Sequence, residues 1–135
     1  MAKVSRFEDL VVWQKARSFS FKVYKLSSEG SFMKDFALRD QIRRSSVSIS
    51  SNIAEGFERG GNKEFVHFLS VAKASSAETR SLLYLASDLE YLSNADSENL
   101  INEASEVARM ISALMTYLKG SDKSGSKFVS NSNQI

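Results

Sequence analysis

An all-α protein, folded as an antiparallel up-down-up-down four-helix bundle, is what this sequence predicts. Three observations carry that expectation. None of the 135 residues is proline. Four long segments repeat apolar or small residues at helical spacing, and the stretches between them are short. Proline and glycine are the strongest helix breakers. The 6 glycines gather at Gly30, at Gly56, Gly60 and Gly61, and at Gly120 and Gly125. A chain of this length is the size of one domain and can bury a sizeable core. Residues 1–9 read as an N-terminal arm, residues 10–119 as the bundle, and residues 120–135 as a disordered polar tail.

The first helix is predicted from about Leu10 to Ser28. Glu8 and Asp9 stand where the helix dipole favours negative charge. Leu10, Trp13, Ala16, Ser20, Val23 and Tyr24 share one face, and Phe19, Phe21 and Leu26 fall outside it. So broad an apolar arc suggests a second contact surface.

The second helix is expected from about Asp35 to Phe57, with Leu38, Ile42, Ser46, Ile49 and Ile53 as its inner stripe. Its centre, RRSSVSISSN, is rich in serine, a poor helix former. Small side chains there let a neighbour approach closely, and their hydroxyls can bond to carbonyls one turn back. Gly56, Gly60 and Gly61 are read as its end and the following turn.

The third helix is expected to start with Asn62 as N-cap and to reach about Leu92. Its predicted stripe is Phe68, Ala72, Ser75, Thr79, Leu82, Ala86 and Leu89. Small residues fill its middle, Ala74 to Ala77, and are expected to lie against the serine-rich middle of the second helix. The fourth helix runs from near Ser97 to Lys119 and Gly120. Leu100, Ala104, Val107, Ile111, Leu114 and Leu118 form its heptad seam. The connections are read as loops at Ser28–Lys34, Glu58–Gly61 and Ser93–Asp96, and no strand pattern competes.

Composition narrows the chemistry. There is no cysteine, hence no disulfide, thiolate nucleophile or cysteine metal site. The single histidine, His67, has a glutamate three residues earlier, Glu64, but no second such pair exists. A di-metal bundle needs two. GFERGGNKEF fits neither phosphate-binding signature and reads as an interhelical turn. No apolar run is long enough to span a membrane, and no secretion signal is read at the N-terminus, so a cytoplasmic protein is expected. No cofactor, metal or catalytic residue is predicted, and the chain is read as a non-enzyme.

Net charge is only +2. Its distribution is uneven, with six basic against two acidic side chains over residues 1–28 and two against four over residues 96–120. Lys15, Lys22 and Lys25 fall within about 80° on the first helix at 100° per residue. Arg43 and Arg44 add charge on the second. These five are the candidate nucleic-acid-binding residues, alongside the reading that they are an ordinary solvated face. Aromatic interleaving is not evident, and Trp13 and Tyr24 are read as core. Glu78 falls on the wheel among Val71, Leu82 and Leu85 and is expected to be buried, paired with Arg43, Arg44 or serine hydroxyls. Asn52 and Glu55 are read as tying down the turn that follows, or as a polar patch between subunits.

Several segments taken together resemble a known bacterial family. They are FEDLVVWQKA, the Val23–Leu26 stretch, LRDQIRRSSVSISSNIAEGFERG and KEFVHFLSVAKASSAETRSLL, within residues 7 to 118. The chain resembles the four-helix-bundle proteins named after the 23S rRNA intervening sequence. That resemblance implies a bundle assembling as a ring-like homopentamer, without an established enzyme activity. It places Trp13, Asn52, Glu55, Gly56 and Glu78 at signature positions. A similar bundle serves as accessory subunit of diversity-generating retroelements, which implies a reverse transcriptase as a possible protein partner. The expected function is a homo-oligomeric binding or scaffold protein, with RNA or DNA, foremost structured RNA or a ribonucleoprotein, as partner. The alternative is a protein–protein adaptor without nucleic-acid binding, using Phe19, Phe21 and Leu26.

Overall fold

In a computed structural model, residues 2–121 and 129–130 are described. After a 3-10 turn at Phe7–Asp9 come α1 (Val11–Leu26), a one-turn helix α2 (Gly30–Lys34), α3 (Phe36–Glu58), α4 (Asn62–Asp88) and α5 (Asn94–Lys119). The four long helices form the predicted bundle. Around it, α3 lies beside α4, α4 beside α5, and α1 closes the ring against α3 and, more sparsely, α5. The only strands among the described residues are β1 (Ala2–Lys3) and β2 (Val129–Ser130), paired antiparallel. The rest of the expected polar tail beyond Ser121 lies outside the described residues.

The inner stripe of α3 is as predicted: Leu38, Ile42, Ser46, Ile49 and Ile53 are buried, joined by Ser45, Gly56 and Phe57. The α5 seam is also as predicted, from Leu100 to Leu118. Two stripes differ. In α1 the core residues are Val12, Ala16, Phe19, Ser20 and Val23. Phe19 is fully buried, whereas Trp13 is half-buried and Tyr24 exposed. In α4 the buried seam is Phe65, Leu69, Ala72, Ser76, Thr79, Leu83 and Ala86. The expected Phe68, Leu82 and Leu89 lie at its margin or outside it. Val4 and Leu10, from the arm and its junction, are buried as well.

Hydroxyls hold the helices at close range. Ser20 Oγ donates to the Ser46 carbonyl at 2.8 Å, joining α1 to α3. Ser76 Oγ donates to the Ala104 carbonyl at 2.8 Å, joining α4 to α5. Between α3 and α4, Ser45 Oγ and Thr79 Oγ1 are 2.8 Å apart, and Ser75 Oγ donates to Ser48 Oγ at 2.9 Å. The small middles of α3 and α4 therefore do face each other. Each bond satisfies a polar group in a narrow interface, where an unmet one costs about 1–3 kcal/mol.

The ends depart from expectation in instructive ways. Gly56 does not end α3, which runs on to Glu58. A Cβ there would stand 2.6 Å from Phe68 Cβ and 3.1 Å from Phe65 Cδ1, so glycine is what lets α4 approach. Asn62 is the first residue of α4, not its cap, and Gly61 takes that place. The Asn62 amide instead donates to the Leu118 carbonyl at 3.1 Å and the Ser121 carbonyl at 3.3 Å, pinning the end of α5. Helix α4 stops at Asp88, and α5 starts at Asn94, capped by Ser93 Oγ accepting from Asp96 N at 3.1 Å. The segment read as the first loop contains α2, whose Phe32 is buried and stacks on Tyr91 at 5.2 Å.

Candidate functional site

The five cations singled out in the sequence do not share one face. Lys15 and Lys22 turn toward α5. Lys15 Nζ lies 2.9 Å from Glu106 Oε1, and Lys22 Nζ lies 3.0 Å from Glu103 Oε1. The bond to Glu106 and its charge raise the Lys15 pKa above the ordinary lysine value. These two lysines therefore pair with the acidic helix that the charge distribution set against them. Between α1 and α5 lies a cleft of about 570 Å³, lined by Lys22, Lys25, Glu29, Asp96 and Glu103 among others.

Arg43 turns toward α1. Its Nε donates to Ser27 Oγ at 2.8 Å and its Nη2 to Ser28 Oγ at 2.7 Å. Its guanidinium lies 4.7 Å from the Tyr24 ring centroid. Arg44 turns the other way, into a shallow hollow between α3 and α4 with Gln41, Ser48, Ser75 and Glu78. Glu78 is exposed rather than buried, and its partner is Gln41, whose Nε2 donates to Glu78 Oε2 at 3.0 Å. The helical wheel misplaces Glu78 because α4 has apolar residues on two faces.

The other signature positions resolve individually. Asn52 Nδ2 donates within α3, to the Ser48 carbonyl at 2.7 Å and Ser48 Oγ at 2.9 Å. Through Ser48 it joins the hydroxyl chain to Ser75. Glu55 pairs with Arg59 at 3.4 Å at the end of α3. Trp13 packs edge-on against Phe7 at 5.1 Å and carries Arg17 at 5.5 Å. His67 is exposed, its ring 5.4 Å from that of Phe68. No cluster of metal-ligating side chains occurs among the described residues.

Two surfaces stand out of which the sequence reading named only parts: Phe21 on α1, and Val71, Leu82 and Leu85 around Glu78 on α4. On α4, Phe68, Val71, Ser75, Glu78, Leu82, Leu85 and Leu89 step by 3, 4, 3, 4, 3 and 4 on the flank beside the buried seam. Of these, Val71 is 37% exposed, and Leu85 and Leu89 are each 46% exposed. A groove lined by Leu38, Leu82, Leu85 and Leu89 runs along α3 there. Two interleaved heptads in one helix would have shown it. On α1, Phe21 is 64% and Tyr24 43% exposed, with cations against both rings. No helix among the described residues is long and apolar enough to cross a membrane.

The family model described as 23S rRNA-intervening sequence protein matches residues 8–113. A crystal structure from Bacteroides thetaiotaomicron, of a protein with unknown function from the S23 ribosomal protein family, is 27% identical in sequence. It covers 78% of this chain and 98% of its own, with a TM-score of 0.72. No curated protein matches.

Proposed function

The chain belongs to the 23S rRNA-intervening sequence protein family, and from that premise we propose that it is a scaffold, assembling with copies of itself to hold a partner rather than catalysing a reaction. One observation carries this reading: the outward seam of α4. Leu85 and Leu89, each 46% exposed, continue a heptad with the partly buried Leu82 and leave about half of their own surface uncovered by the described chain. A helix apolar on two faces needs two neighbours. Fully burying a large aliphatic side chain contributes roughly 1.5–3 kcal/mol, and covering the exposed halves of Leu85 and Leu89 supplies part of that for each.

The middle of the same face is polar and suits a register-fixing role. Arg44 and Glu78 stand in one hollow without forming an ion pair with each other, and Ser48 and Ser75 keep the surface low. Polar groups at the centre of a helix seam select one alignment over its neighbours. The number of copies, five, rests on the family resemblance. Catalysis is the poorer reading because Glu78, the carboxylate best placed for it, meets an amide rather than a base. A partner bound by the assembled scaffold is a nucleic acid or a protein, and it needs a face other than this seam.

Sedimentation and light scattering at micromolar concentration test the reading. The wild-type chain should run as an oligomer. Leu85→Glu with Leu89→Glu should run as a monomer of unchanged helix content, since both side chains are half exposed in the single chain. A wild-type monomer, or a charged variant that still assembles, would overturn it.

A further inference from the structure

We infer that the face formed by α1 and α3 binds single-stranded nucleic acid, stacking bases on Phe21 and Tyr24 and taking phosphates on Arg17, Lys25 and Arg43. The inference does not depend on self-assembly through α4. It moves the nucleic-acid contact off Lys15 and Lys22, which Glu106 and Glu103 already hold.

The arrangement alternates rings and cations along the outside of α1. Arg17 lies against Trp13 at 5.5 Å, and Lys25 against Phe21 at 6.0 Å. Arg43 reaches across from α3 to Tyr24 at 4.7 Å. Trp13, Arg17, Phe21 and Tyr24 span about 80° of the helix at 100° per residue, on the flank that meets α3. Further along the same side of α3, Arg39 covers the exposed Phe36 at 4.8 Å. From Trp13 to Lys25 the strip measures about 18 Å along α1 at 1.5 Å per residue, room for a few nucleotides.

Charge favours an anion here. Among the described residues Arg17 and Lys25 form no ion pair with a carboxylate, although Lys25 also borders the cleft that holds Glu29, Asp96 and Glu103, and Arg43 is bonded to serine hydroxyls and a carbonyl. Among the described residues the carboxylate bonded to a cation of the strip is Asp40, held by Arg39 at 3.0 Å at its far end. A solvated face of lysines alone would serve any polyanion. Rings at 64% and 43% exposure add something only an unpaired base can use. An exposed ring can take a base by stacking, and every base has a π-face to offer it. In a duplex the bases are stacked on one another and closed to such a ring.

The test is fluorescence anisotropy with a labelled 12-nucleotide single-stranded RNA of mixed sequence, and with its duplex, at several salt concentrations. The single strand should bind more tightly than the duplex, with affinity falling as salt rises. Phe21→Ala with Tyr24→Ala should weaken single-strand binding about tenfold to a hundredfold and leave the salt slope nearly unchanged. Arg17→Gln with Lys25→Gln should flatten the slope. Lys15→Gln with Lys22→Gln should change little. Equal or tighter binding of the duplex, loss only in the Lys15 and Lys22 variant, or no binding at all would overturn the inference. So would a change of oligomeric state in the Phe21 and Tyr24 variant, because the face would then be a protein contact.

Discussion

At the scale of single residues, the sharpest local feature is Glu90. It closes α4 with φ of 61°, the left-handed conformation that favours glycine. The backbone around it is a Schellman cap: Tyr91 N bonds to the Ala86 carbonyl at 3.0 Å and Glu90 N to the Ser87 carbonyl at 2.9 Å. Those bonds satisfy carbonyls at the helix end, and they are the compensation for a side chain held where its Cβ crowds the backbone. Glu90→Gly keeps both bonds and removes the crowding. Glycine also raises the entropy of the unfolded chain, which offsets part of the gain. The expected net result is a stabilisation of about 1 kcal/mol, seen as a higher urea midpoint with an unchanged slope. A lower midpoint would show that Glu90 contributes something its exposed position does not reveal.

At the scale of elements, how much could be read in advance depended on how many neighbours each helix has. Helices α3 and α5 each show a continuous apolar stripe, and Ile42, Ile49, Ile53, Ile111 and Leu114 are buried as their spacing implies. Helix α4 carries two stripes, through Leu69 and Leu83 and through Leu82 and Leu89, and the predicted stripe straddled both. Period alone cannot choose a phase when both phases are apolar; the packing of α3 and α5 decides it. The same ambiguity misplaced Glu78. In α1 the aromatics mislead for a related reason: Phe19 and Tyr24 are equally large, and only the position of α3 sends one inward and the other out under Arg43. The connection between α4 and α5 was legible as a break but not as a clamp. Tyr91 Oη donates to Asp35 Oδ2 at 2.8 Å, while Asp35 Oδ1 caps α3 by accepting from Leu38 N at 3.1 Å. The hydrogen bond to Asp35 foremost, then partial burial and the carboxylate charge, raise the Tyr91 pKa above its ordinary value. A phenol with a raised folded pKa contributes stability that is complete below its unfolded pKa near 10 and is lost as pH climbs through the folded value. Wild-type stability should therefore exceed that of Tyr91→Phe at neutral pH, and the gap should close above pH ~10. Urea titrations of both proteins across that range check it. A gap that stays constant would mean that the tie to Asp35 contributes nothing that depends on the proton.

At the scale of the whole molecule, the bundle is not equally tight all round. Helix α4 makes dense interfaces with α3 and with α5, whereas α1 packs more sparsely, above all against α5. There a cleft of about 570 Å³ intervenes, bridged by Lys22 to Glu103, with Lys15 to Glu106 alongside. Ion pairs this exposed contribute about 0–1 kcal/mol each and weaken with salt. What holds α1 is mainly Val12, Ala16, Phe19 and Val23, with the Ser20 bond to α3. The region with fewest buried contacts opens first. Amides in the middle of α1 should thus exchange through a smaller opening free energy than those around Ala72 and Thr79 in α4. Raising the salt from 0.1 to 1 M cuts the screening length from about 10 to 3 Å. It should lower α1 protection slightly and leave α4 protection unaffected by this route. Native-state hydrogen exchange, read by mass spectrometry of peptides from each helix, resolves the two. Should α1 and α4 exchange at one common free energy, the molecule opens only as a unit, and α1 is no looser a part of it than the rest. Should α1 open first, the helix that carries Phe21 and Tyr24 is the one able to adjust to a partner while α3, α4 and α5 keep the proposed assembly face of α4 fixed.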